Sequence, residues 1–245
     1  MNGFVTGIGT TLRPRPGDPH GPLPPLMLGL TAVTGLVDAF SYLVLGHVFV
    51  ANMTGNVVFL AFALVGARGF SIAAVLVALG AFALGAGVGG HLVRRGRGHR
   101  ARVLAACTAV QAVLVAVAVV VGALHTGAVS PPVHYALITA LGAAMGSQNA
   151  AARALAVPDL TTTVLTLTIT GLAADPRDTP RATASAARRT LSLLVMFAGA
   201  LVGAACVVHG QRTWDLVAAL VLVVTVSTTT RLAAGGDPAW VRSAA

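Results

Sequence analysis

Residues 49–66 read FVANMTGNVVFLAFALVG, with a polar knot of Asn52, Thr54 and Asn56 between two apolar stretches. The run that starts at Thr54, TGNVVFLAFALVG, holds about 13 residues, about 20 Å as a helix, which is too short to cross a ~30 Å hydrocarbon layer. Whether it crosses or dips in and returns decides the number of spans, and with it the fold.

The surrounding chain sets the solvent. Hydrophobic residues make up 56% and charged residues 9%, with a mean hydropathy of +0.85, so the apolar surface exceeds what a soluble core could hide. Six long apolar segments, at about 25–46, 70–93, 103–124, 132–152, 190–208 and 214–230, predict membrane-spanning helices. The dyad alternation of a membrane barrel is absent, so the fold class expected is all-α integral membrane. The lipid bilayer is the first partner.

Net charge is +9, carried by arginine alone, which on a soluble domain would suggest nucleic acid. Here the arginines gather at the ends of apolar segments without interleaved aromatics, which argues against nucleic-acid binding. Cys107 and Cys206 lie inside apolar stretches and read as packing residues. Residues 1–24 are rich in Gly, Pro and polar residues, with neither the apolar core nor the cleavage site of a signal peptide, so a disordered N-terminal tail is expected there, and a C-terminal tail over 232–245.

A second short piece, TTTVLTLTITGLA from Thr161, follows VPDL as the first follows HVFVANM. Laid over one another, the halves match Gly35 with Gly146, Asp38 with Asn149, Asn52 with Asp159, Thr54 with Thr161 and Asn56 with Thr163, and set GALVGAA at 199 against GAFALGAG at 80. The order of elements also repeats: long helix, polar break, short helix, two long helices. Two membrane repeats are expected, over 25–124 and 131–231.

Charge decides how the short pieces run. If both dip in and return, six helices span, and Arg13, Arg15, the RRGRGHRAR loop at 94–102, the Arg177–Arg189 region, Arg231 and Arg242 share one side, with Arg68 and Arg212 as exceptions. Three spans per repeat invert the second repeat relative to the first. The expectation is six long transmembrane helices plus two short re-entrant half-helices in a 3+3 inverted repeat, both termini cytoplasmic.

Broken backbone at membrane depth persists where protein or water satisfies it, so the two breaks should line a shared cavity, half-helix tips meeting near the midplane. Asn52, Thr54, Gly55, Asn56, Gln148, Asn149, Asp159, Thr161, Thr162 and Thr163 are the candidate solute-binding residues. Asp38, some 12–14 residues into the first span, is the candidate ion-coupling group, with a structural carboxylate capping broken backbone as the alternative. Capping is the stronger reading for Asp159, beside a helix start. Gln148 and Asn149 read equally as interhelical glue.

The blocks GLVDAFSYLVLGHVFVANMTGNVVFLAFAL (35–64) and MGSQNAAARALAVPDLTTTVLTLTITGLAAD (145–175) resemble the YoaK-like family of bacterial membrane proteins, a family of unknown function, and the likeness covers nearly all of residues 25–231. The resemblance implies a multi-pass protein of the bacterial cytoplasmic membrane, usually counted with six spans, and names no substrate. This chain has TLTIT around Leu167 where the family pattern would have TGTLT.

Small residues at four-residue spacing, GAGVGG at 85–90 and GALVG at 199–203, read first as close helix packing and second as a homo-oligomer interface. The histidines lack metal-ligand spacing, and no nucleophile or nucleotide motif is present, so neither a cofactor nor an enzyme activity is expected. Two functions fit: a small secondary transporter of a small polar or anionic solute, or a non-transporting sensor or assembly scaffold whose broken helices brace the fold.

Overall fold

The computed structural model describes residues 2–15, 17–125, 130–160, 165–174, 179–235 and 239–242. Helices α1 (Asn2–Leu12), α2 (Leu23–Val44), α3 (Met53–Leu64), α4 (Ile72–Arg95), α5 (Arg100–Leu124), α6 (Pro131–Leu155), α7 (Leu165–Ala174), α8 (Pro180–Val208) and α9 (Arg212–Ala233) follow in order, then a 3-10 turn at Ala239–Val241. No strand occurs among the described residues.

Helix ends follow local chemistry. Ser71 Oγ accepts from Ala74 N–H to open α4, and Asn52 Oδ1 accepts from Gly55 N–H to open α3. Prolines occupy the first turns of α2 and α6, where a missing N–H costs nothing. Ala156, at φ 45°, ends α6 in the left-handed region.

Five helices, α2, α4, α5, α8 and α9, are long and apolar enough to cross a membrane. The sixth long helix, α6, has 25 residues but carries Ser147, Gln148, Asn149 and Arg153, and its hydropathy falls below that of the others. Large apolar side chains such as Leu84, Leu124 and Phe197 face outward, whereas Thr34, Gln111, Ser147 and Gln148 are fully buried. That inside-out distribution is what hydrocarbon solvent selects. The protein is an all-α, multi-pass membrane protein.

Helix pairing has a repeated form. α2 packs along α8 and α9, while α6 packs along α4 and α5; α3 lies on α4 and α7 on α8; α5 meets α9. The two main crossings use the same device. A β-carbon at Gly35 would collide with the Met196 carbonyl and the Ala200 nitrogen of α8, and one at Gly146 with the Phe82 carbonyl and the Ala86 nitrogen of α4. From the other side, Gly199 meets Ala32 and Gly203 meets Leu36 and Ala39, as Gly85 meets Ala143 and Gly89 meets Ser147 and Ala150. Glycine at these points lets backbones touch, which replaces the hydrophobic driving force that lipid removes. The close-packing reading of GAGVGG and GALVG is therefore the observed one. The register is corrected: Gly199 corresponds to Gly85, because Gly80 faces open space.

Residues 2–12, expected within a disordered tail, form α1 instead. It packs on α8 and α2, and Gly7 lies so close to α8 that a β-carbon there would be 2.9 Å from Ala187 Cβ. In the expected C-terminal tail, Trp240 is buried against Gly21, a turn residue at φ 49°.

Candidate functional site

Asp38 lies in α2, buried, seven residues before the C-cap Leu45. Its Oδ1 accepts hydrogen bonds from the Val50 and Ala51 N–H groups, at 3.1 and 2.8 Å. Its Oδ2 is buried with no hydrogen bond among the described residues. The Asp38 carboxyl thus holds the unwound segment 48–52 against α2.

The rest of the break is satisfied by side chains too. Asn56 pairs with the Phe49 peptide in both directions, accepting from its N–H at 2.9 Å and donating to its carbonyl at 2.7 Å. His134 Nε2 donates to the Leu45 carbonyl at 2.9 Å. His47 Nδ1 hydrogen-bonds the Gly69 carbonyl at 3.1 Å, which joins the two ends of the segment that holds α3. Rings of Tyr42, His47, Phe49, Phe59, Phe62 and Phe70 pack at centroid separations of 5.0–6.3 Å, in stacked, tilted and edge-on pairs, and pin α3 to both of its flanking turns.

A crevice of about 350 Å³ opens beside this break, between α2 and α8, lined by Asp38, Tyr42, Phe49 and Asn52 and floored by Gly35 and Ala200. The corresponding positions in the other half, Asn149, Arg153, Phe82, Ala86 and Gly90, line a larger crevice of about 1020 Å³ between α6 and α4.

The expected site residues do not gather in one place. Asp38 and Asn52 share the smaller crevice, Thr54 is exposed on α3, and Gly55 and Asn56 pack behind, on Phe49. Gln148 is in the core, donating to Thr34 Oγ1 at 2.9 Å and the Leu30 carbonyl at 3.2 Å and accepting from Gln111 Nε2 at 2.6 Å, so it ties α2, α5 and α6 together. Asn149 donates to the Met145 carbonyl and borders the larger crevice. Asp159, at φ 64°, accepts from Ser185 Oγ at 2.7 Å, Arg188 Nη2 at 2.9 Å and Arg189 Nε at 2.9 Å, which anchors the second break to α8. Thr161, Thr162 and Thr163 lie outside the described residues.

The tip of the second short piece, Thr161 to Thr163, lies outside the described residues, and with it the expected meeting of half-helix tips. Among the described residues α3 contacts α4 and α7 contacts α8, with no contact between α3 and α7. Each break follows its own long helix, α2 or α6, and the two crevices open on different helix pairs, so the polar groups divide between them.

Sequence reasoning missed Asp215, in the first turn of α9, which is fully buried with neither carboxylate oxygen hydrogen-bonded among the described residues. Its signal was available as the lone acid in the last apolar segment. No group of three or more potential metal ligands occurs among the described residues.

The DUF1275 family, described as proteins of unknown function, matches residues 26–228. The chain is 36% identical over 149 residues to the UPF0700 transmembrane protein YoaK of Bacillus subtilis (strain 168), a match covering 61% of this chain and 64% of that protein. No solved structure matches the chain.

Proposed function

The chain belongs to the DUF1275 family of proteins of unknown function, and from that premise we propose that it is a small secondary transporter of a small polar or anionic solute, with ion coupling through Asp38. The observation that carries this reading is the half-satisfied carboxylate. At membrane depth an ionisable group is costly, and one that only braced the backbone would need Oδ1 alone. Oδ2 is left without a hydrogen bond among the described residues, and Asp38 borders a crevice large enough for a small solute.

In this reading α2, α4, α5, α6, α8 and α9 span, α3 and α7 are re-entrant, and the halves form a 3+3 inverted repeat in a bacterial cytoplasmic membrane with cytoplasmic termini. Support comes from the matched pairings of α2 with α8 and α6 with α4, from the equivalent glycine contacts, and from the His47–Gly69 closure around α3. The solute site moves from a tip-to-tip pocket to the crevice of Asp38, Asn52 and Tyr42. Solute uptake into proteoliposomes across a metabolite panel tests the reading: flux that Asp38→Asn abolishes supports it, and absence of flux together with absence of any ligand-induced thermal shift overturns it.

The separation of α3 from α7 favours a second reading, a non-transporting sensor or assembly scaffold in which Asp38 and Asp159 brace the two breaks. That protein would fold, resist proteolysis and carry no solute.

A further inference from the structure

The crevice between α4 and α6 differs from its α2–α8 counterpart in charge and size. Where the smaller one has Tyr42 and Leu43, the larger has Arg153 and Ala154, and the last turn of α4 and the turn beyond add Arg94 and Arg97. None of these three arginines has a hydrogen bond or ion pair among the described residues, and no acid lines the crevice. The α4 wall is apolar, from Val93 to Phe82, which lies about 18 Å of helix below Arg94, and Asn149 is the uncharged polar residue on the α6 side.

We propose that this crevice binds an acidic phospholipid, its phosphate held by Arg94, Arg97 and Arg153 and one acyl chain laid along Phe82, Ala86 and Ala150. The match is one of amphiphile shape. Guanidinium groups chelate phosphate through several donors, and they sit at the ends of two long helices, the depth of a headgroup layer. Basic pockets between transmembrane helices are recognised lipid-headgroup sites for this reason. A water-soluble anion would use the arginines and leave the apolar wall bare. Arginines at helix C-termini also complement the helix dipole, but Arg95 does so equally from the same turn and lies outside the crevice.

The test uses the full chain in neutral detergent, with phosphatidylglycerol, phosphatidylcholine of the same acyl chains, and glycerol phosphate as probes, read by thermal shift and by native mass spectrometry of retained adducts. Phosphatidylglycerol should stabilise and be retained, with affinity roughly 30-fold weaker in R94Q/R153Q and unchanged in R95Q/R102Q, which removes the same charge outside the crevice. Ala154→Phe, which obstructs the crevice beside Arg153 without altering charge, should also weaken retention of the adduct, and decides the matter if R94Q/R153Q does not fold. Equal binding of the two lipids, equal losses in the two double variants, or full replacement of the effect by glycerol phosphate would each overturn the proposal.

Discussion

The Asp38 carboxylate in α2 accepts a 2.8 Å hydrogen bond from the Ala51 N–H, thirteen residues further along the chain. One side chain therefore fixes how deeply the break before α3 enters the protein, and Asp38→Leu would leave the Val50 and Ala51 N–H groups buried and unpaired. A loss of about 1–3 kcal/mol per group is expected, against a smaller loss for Asp38→Asn, which keeps an acceptor. Thermal melting of both variants in detergent measures the difference; equal losses would contradict the capping geometry.

Asp215 should behave in the opposite way. A buried carboxylate with no hydrogen bond among the described residues costs stability, so Asp215→Val is expected to raise the melting temperature, by the equivalent of about 1 kcal/mol or more. A fall would reveal an interaction that the static structure does not contain.

The glycine crossings predict matched effects in the two halves. Gly35→Val and Gly146→Val should each destabilise by about 1–3 kcal/mol or more, because the colliding atoms are backbone and cannot turn away. Gly80→Ala, in open space, should be neutral or gain about 0.5–1 kcal/mol from helix propensity. Melting curves and size-exclusion profiles of the three variants provide the check.

Side-specific labelling addresses the run of α3. With Cys107 and Cys206 replaced by serine, H47C and R68C should react with a membrane-impermeant thiol reagent from the same face, since His47 and Gly69 are joined by a hydrogen bond. Reaction from opposite faces would mean that α3 crosses.

At the arginine-rich end, His20 lies 3.2 Å from Arg100 Nη2. Burial, then the charge of Arg100, hold its pKa below the usual 6.5. A depressed histidine pKa means that the unfolded chain binds the proton more readily, so this contribution is complete above about pH 6.5 and is lost as pH falls toward the lowered folded value. Relative to His20→Gln, the native protein should lose melting temperature on acidification through that window; parallel pH profiles would discount the effect.

The polar knot at 49–66 was legible because polar residues are rare in an apolar chain, and each one is informative. Asp38 stood out for that reason, and so did the glycine spacing. The register of Gly199 was not legible, since an Ala/Val/Gly-rich string aligns equally well at several offsets and only backbone contact with Ala32 distinguishes them. The role of Asn56 was hidden because an asparagine that pairs with a buried peptide and one that awaits a solute look alike in sequence. Asp159 read as a helix cap from its place beside a helix start, and its partners Arg188 and Arg189, on α8 about thirty residues away, leave no mark in the local sequence. The α1 helix was obscured by its glycines, one of which proves to be the point of contact with α8.

The crossing of Gly35 against Met196 and Ala200 has a consequence for biogenesis. About 160 residues separate the two partners, so at ribosomal rates of about 5–20 residues per second α2 waits on the order of 10–30 s for α8 to emerge. Through that interval its glycine groove has no helix to receive it. Insertion of the nascent chain must therefore shelter α2, or tolerate its solitude, until the last third of the polypeptide has been made.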